Sequence, residues 1–366
     1  MNNKTIRAVG AGAVAAVWAV LTGFAWFGQR SDYSMTERAE LTQAPEIKAE
    51  AVLDGSFMEE FEEFTTDQFP LRDGFRKVKS LFHYYGLQAM DNNGIYIAGD
   101  FAAEQVYPLN ETSVRYATER FSYIYETALK GKANAVYAVT VPDKGYYLAQ
   151  DAGQLRLDYD KLFAMVQEGM PWAEHIDITD KLSIEDYYFA DTHWRQEKLL
   201  PVAQTVCDAM GVTLGTFEQT RIDKPFYGVY HSKAALPMAA EELYLLENEV
   251  LDNCTVHYLD LNREGKVYDR TKLESADLYE LFLGGARSLI TIENPAGKEG
   301  KELVVFRDSF GSSLVPLLLQ DYSKVTLIDV RYIGLPVVQK MVDFEGADVL
   351  FVYSTLVLND SMLIRP

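Results

Sequence analysis

Cysteine, histidine and positive charge are all scarce in this sequence, and each scarcity closes off a class of chemistry. The two cysteines, Cys207 and Cys254, stand far apart in no metal-like spacing, so neither a disulfide framework nor a zinc site can be read from them. They read as small buried hydrophobes, with a single bridge as the other option. Lysine and arginine total 34 against 54 aspartates and glutamates, a formal net charge of −20. That balance opposes broad attraction to phosphate backbones or anionic surfaces, and nucleic acid is not expected as a partner. Internal repeats and low-complexity tracts are absent. Long apolar runs are scarce too, and the one from Ala8 to Phe27 is uncharged and long enough, at about 1.5 Å per residue, to cross a bilayer as a helix. Lys4 and Arg7 precede it, which predicts an N-terminus in the cytoplasm and an exported remainder. The other reading is a cleaved signal peptide, against which stand the length of the run and the lack of a small-x-small site after it. Both readings put the chemistry outside the cytoplasm.

What is present is ample material for a core, 48% hydrophobic residues in a chain of 366. The organisation expected is a membrane anchor or signal segment over residues 1–30, a polar tether over 31–50, and one catalytic domain over 51–366 that includes a helical preface. In that preface Phe57, Phe61 and Phe64, then Phe75, Val78, Leu81 and Phe82, recur at helical spacing and read as core. "NNGIYIAGD" reads as a hairpin or lone strand. Beyond it, helical patterns (111–129, 160–170, 195–210) alternate with short β-rich runs ("NAVYAVTVP", "HIDIT", "SLITIE", "ELVVFRD", "KVTLIDV", "ADVLFVYS"). That alternation predicts an α/β fold with a mostly parallel sheet covered on both faces and sites at the carboxyl ends of its strands.

Two of those ends carry candidate chemistry. Ser309 follows the strand "ELVVF" and precedes a helical run, a setting that exposes a serine oxygen above the sheet. His193 lies in "YYFADTHWRQ", two residues after Asp191, which can orient an imidazole acting as base. The simpler local reading is capping: Asp308 or Ser309 of one helix, Asp191 or Thr192 of another beginning near Trp194. There are five histidines. His83, His175 and His257 fall in helical or strand patterns that suit structural roles, which leaves His231 in "YGVYHSKAAL" as the competing base.

"DTHW" at Asp191–Trp194 together with "DSF" at Asp308–Phe310 resembles the bacterial DHHW-motif proteins and the related alginate O-acetylation proteins. The likeness extends to the preface "MTERAEL…LDGSFMEEFEEFTTDQFPLRD", to "VPDK" at Val141–Lys144, to "YELFLGG" at Tyr279–Gly285 and to "DVRY" at Asp329–Tyr332. The resemblance implies an SGNH-hydrolase-like three-layer sandwich with the triad in permuted order. It also implies Ser309 as nucleophile, His193 as general base and acid, and Asp191 as the group orienting His193. Trp194 is then expected to pack beneath the imidazole, with sugar stacking as its other role, and the oxyanion donors to be the N–H of Ser309 and one of Gly284 or Gly285. Lys144, Arg331 and Tyr332 follow strands and could hold a substrate carboxylate or sugar, or could simply be solvated. Two positions depart from the pattern. Thr192 stands where the name of the motif has histidine, and Arg307 stands where many SGNH enzymes have glycine.

The implied function is O-acyl transfer, acetyl above all, to an envelope or exopolysaccharide glycan outside the cytoplasm. No metal or cofactor is implied, and a membrane-bound O-acyltransferase would be the acetyl donor. Two alternatives remain: a carbohydrate esterase of the same fold, if water reaches the acyl-enzyme, and a non-catalytic scaffold that binds a glycan or partner.

Overall fold

The computed structural model describes residues 3–28 and 30–365 and divides into two compact units, residues 1–89 with 232–237 and residues 90–231 with 238–366. The first unit holds the helix Asn3–Phe27, of which Thr5–Ala25 is apolar, unburied and long enough to span a membrane. It also holds the helices Ser56–Asp67 and Arg72–Leu81 of the preface. The expectation that the preface side chains are core holds for Phe64, with Phe57 and Phe61 half-buried against it, and fails for the second group. Phe64 is 7% exposed, but Phe75, Val78, Leu81 and Phe82 are 51, 66, 38 and 63% exposed.

The second unit is built on an eight-stranded sheet. In chain order its strands are β1 (Ala135–Val141), β2 (Glu174–His175), β3 (Thr255–Tyr258), β4 (Arg263–Gly265), β5 (Leu289–Glu293), β6 (Lys298–Arg307), β7 (Tyr322–Ile328) and β8 (Asp348–Ser354). Their spatial order is β4-β3-β5-β7-β6-β8-β1-β2. From β7 to β2 every pairing is parallel, while β5, β3 and β4 extend the other edge in antiparallel register.

Burial on both faces explains why the central strands read as continuous apolar runs. Along β8, Leu350 and Val352 face one core, and Val349, Phe351 and Tyr353 the other. The first core is roofed by Val202, Ala203, Val206 and Cys207 of the helix Leu200–Met210. The second is covered by Val114, Ala117 and Phe121 of Glu111–Ile124, with Leu162 and Val166 of Tyr159–Gly169. The result is a helix–sheet–helix sandwich. Cys207 and Cys254 are free and buried. "NNGIYIAGD" forms the antiparallel hairpin Ile95–Ala98 with Phe101–Glu104.

Two expected helices are shortened by their own prolines. The pattern over 195–210 breaks into a turn, Gln196–Lys198, and a helix whose first turn holds Pro201. The run after Ser309 is helical only over Gly311–Leu314 and tightens to a 3₁₀ turn at Val315–Leu318, where Pro316 has no N–H to offer.

Candidate active site

The stretch around "DTHW" is a loop, not a helix start. Tyr187 and Trp194 pair as an antiparallel bridge, with Tyr188 N–H donating to His193 C=O (3.1 Å) and Arg195 N–H to Asp186 C=O (2.7 Å). The capping reading therefore fails for Asp191 and Thr192. Thr192 instead accepts from the Tyr230 hydroxyl at 3.0 Å. The loop is held from two sides. Lys144 Nζ donates to the carbonyls of Tyr188 (2.7 Å), Phe189 (2.9 Å) and Asp191 (3.1 Å), and to that of Ala102. The Glu241 carboxylate accepts from the N–H groups of Phe189 and Ala190, the latter at 2.7 Å.

At the carboxyl end of β6, Asp308 does behave as a local acceptor. One oxygen takes the Phe310 N–H (3.0 Å) and the other the N–H of Ser354 at the end of neighbouring β8 (2.7 Å). With Asp308 so occupied, the Ser309 hydroxyl is left for another partner, and that partner is His193. Nε2 of His193 lies 2.8 Å from Ser309 Oγ, across 116 positions of sequence. Nδ1 lies 2.6 Å from Asp191 Oδ1. That oxygen also accepts the His193 backbone N–H (3.0 Å), and Asp191 Oδ2 accepts Val229 N–H (2.7 Å). Burial pushes the Asp191 carboxyl up, but the charge of His193 and these hydrogen bonds outweigh it, and the group is held below its ordinary range. Ser309 is half-buried and His193 8% exposed, so the serine oxygen is the open end of the array.

The ring of His193 is fixed by a residue that sequence reasoning did not single out. Tyr279 stacks on it at 3.8 Å between centroids and 7° between planes, and Phe310 tilts against it at 5.0 Å. Tyr279 was visible only as the first letter of "YELFLGG". Trp194, expected beneath the imidazole or on a sugar, is fully buried. Its indole N–H donates to Ser313 Oγ (2.9 Å), which also bonds the Tyr279 hydroxyl (2.8 Å), so Trp194 supports the stacking tyrosine and touches no substrate.

Other expected binding residues are otherwise engaged. Lys144 is buried, with its ammonium among four carbonyls, and burial pulls it down to about 7 against the opposing charges of Glu241 and Asp191. It cannot also meet a substrate carboxylate. Arg331 grips Asp329 through Nε and Nη2, at 2.9 and 2.7 Å. Tyr332 is 53% exposed, with the Arg331 guanidinium 5.5 Å from its ring.

Gly284 and Gly285 both have positive φ, 71° and 81°. The Gly285 N–H already bonds Phe282 C=O (3.2 Å), which removes it as an oxyanion donor. Among the described residues no acceptor is found for the N–H of Gly284 or of Ser309. The buried Arg307 ties this loop to the turn bearing Ser309, donating to Gly285 C=O (3.3 Å) and Ser312 Oγ (3.1 Å). His231, the competing base, has its ring against Tyr227 at 5.0 Å, while its backbone N–H bonds Ala190 C=O. Among the described residues no cluster of metal-ligating side chains is found.

No family model matches the sequence, and no curated protein sequence does. Solved structures do match. A DHHW family protein from Eubacterium siraeum covers 75% of this chain and 95% of its own at 18% identity, with a TM-score of 0.59. The chain has the DHHW-protein fold. PatB1 of Bacillus cereus, in a structure with a sulfonyl adduct, covers 74% of this chain and 98% of its own at 15% identity, with a TM-score of 0.56. The O-acetyltransferase domain of AlgJ from Pseudomonas putida aligns less well, at 11% identity over 73% of this chain and 92% of that one, with a TM-score of 0.42. On the DHHW-protein fold, the expected three-layer sandwich with a mostly parallel sheet is in place.

Proposed function

We propose that this protein is an extracytoplasmic serine-dependent O-acyltransferase that carries an acetyl group from a donor to a glycan hydroxyl. The observation that carries this reading is the 2.8 Å contact between His193 Nε2 and Ser309 Oγ with Asp191 on the opposite ring nitrogen. Two residues that served only as caps of separate elements would have no reason to meet. The contact weighs equally against the scaffold reading.

In the first half-reaction His193 takes the Ser309 proton as the oxygen attacks the donor carbonyl, and the negative charge passes to the carbonyl oxygen. The free N–H of Ser309, with that of Gly284 as a second donor, would stabilise that oxyanion. His193 then returns the proton to the leaving group and an acetyl-serine ester remains. In the second half-reaction His193 deprotonates the incoming sugar hydroxyl, which attacks the ester and releases Ser309. If water enters in place of the sugar, the same steps make an esterase. The N-terminal apolar helix supports a membrane-anchored setting, in which a membrane-bound O-acyltransferase would load the serine.

Intact-mass measurement after incubation with phenylmethylsulfonyl fluoride or p-nitrophenyl acetate tests the reading. A single adduct is expected on the wild type and none on Ser309→Ala. Acyl transfer should fall roughly 10³-fold or more in Ser309→Ala, with little further loss on adding His193→Ala, because a triad acts as a unit. Acetate appearing on an added oligosaccharide supports transfer, and acetate released only to water supports the esterase. Equal background in wild type and variant would sink both.

A further inference from the structure

The helix Arg72–Leu81 and the π-helical turn that continues it, Phe82–Gly86, are amphipathic in the wrong sense for a water-facing helix. Leu71 stands at the N-cap, Phe75, Val78 and Phe82 fall within about 40° of one line at 3.6 residues per turn, and Tyr85 lies in the π-helical turn. They are 76, 51, 66, 63 and 59% exposed, while Ser80, on the opposite side, is 3% exposed. A contiguous apolar stripe of this kind on a protein surface marks something that covers it.

The position of the stripe says what. The same helix lines an open cavity of about 760 Å³ in which Trp18, Leu21 and Ala25 of the N-terminal apolar helix face Phe69, Phe75 and Lys79. Phe75 of the stripe therefore lies level with the last turns of the segment Thr5–Ala25. Resting on the reading of that segment as a membrane anchor, we propose that residues 71–87 lie in the membrane–water interface. The stripe enters the upper acyl chains of the leaflet where the anchor ends, and Lys77 and Lys79 reach back to headgroup phosphates. Both lysines are exposed, and they flank the stripe at about 120° and 80°, the placement from which a long side chain snorkels. Tyr85 suits the same level, where aromatic rings with a polar tip collect.

Arg72 and Arg76 serve a different end. Arg72 bonds Asp67 (3.0 Å) and Glu37, and Arg76 bonds Glu37 (2.8 Å), which pins the helix to the segment following the anchor. The net charge of the whole chain, −20, has the wrong sign for an anionic surface. Insertion is thus driven by apolar area and should persist at high salt.

The test uses the full chain in phosphatidylcholine vesicles with a nitroxide at Phe82→Cys, and separately at Val14→Cys as the reference for the anchor. Burial pushes the native thiols up, Cys207 to about 12 and Cys254 to about 11, so they should stay unlabelled. The label at position 82 is expected to be accessible to oxygen and shielded from a water-soluble nickel complex, shallower than the label at 14 and unmoved by salt. If 14 is deep but 82 is open to nickel, the interfacial placement is wrong while the anchor stands. Shielding of 82 from both reagents would mean a protein partner or a second copy covers the stripe, which also overturns the proposal. Nickel access at 14 would instead remove the anchor reading, and the proposal with it.

Discussion

At the scale of single residues, the candidate site is a problem of holding one carboxylate still. Asp191 orients His193 only while its second oxygen stays on the Val229 N–H, and that bond requires the chain at 228–229 to run against the peptide of Ala190 and Asp191. Gly228 makes this possible. A Cβ there would fall 2.1 Å from Ala190 O and 2.4 Å from Asp191 N, both backbone atoms that cannot swing aside. Gly228→Ala must therefore displace the Asp191 loop. Near-attack geometry tolerates little displacement, so kcat for acyl transfer is expected to fall roughly 10²-fold with a smaller change in KM. Steady-state kinetics on a soluble acetyl ester would check it; an unchanged kcat would mean that Asp191 is not what positions His193. No signal in "YGVYH" identified this glycine, because the clash that selects it comes from a loop 38 residues earlier.

At the scale of elements, the carboxyl ends of three neighbouring parallel strands are laced by side chains. Asp308 after β6 accepts from Ser354 N–H at the end of β8. Asp143 after β1 accepts from the Thr355 hydroxyl just beyond β8 (2.6 Å) and from the Tyr159 hydroxyl (2.9 Å). This lacing keeps the turn bearing Ser309 in register with its neighbours. Asp308→Ala would strand two buried N–H groups, at about 1–3 kcal/mol each. The expected result is a clear fall in the urea midpoint at unchanged slope, together with slowed acylation of Ser309. A variant as stable as wild type would show that water replaces the carboxylate. Element types were mostly legible, since a buried parallel strand such as β8 announces itself as a β-rich apolar run. The "DTHW" loop was not, because its shape depends on the Lys144 and Glu241 clamps, and Glu241 lies in a stretch with no periodic pattern.

At the scale of the molecule, a buried ammonium makes stability depend on pH. Lys144 is pulled to about 7 in the folded protein, whereas an unfolded lysine titrates near about 10.4. Between those values the unfolded chain binds more protons, so burial of Lys144 costs least at the alkaline end of the window. The stability of wild type relative to Lys144→Met should therefore rise with pH from about 7 to about 10 and be flat below it. Urea unfolding of both proteins across that range measures the difference, and a flat difference throughout would mean that Lys144 keeps its proton among the carbonyls. The sequence by itself determined the strand and helix alternation, the two strand-end motifs and the apolar N-terminal run, because these rest on local periodicity and on residue types next to one another. Only the tertiary structure decided that Ser309 meets His193 rather than capping a helix, that Tyr279 and not Trp194 stacks on the imidazole, and that Phe75 and Phe82 of the preface face outward while Phe64 is buried. Each of those outcomes is a distance between residues far apart in the chain, set by sheet order and by packing on its two faces, and no local pattern encodes such a distance.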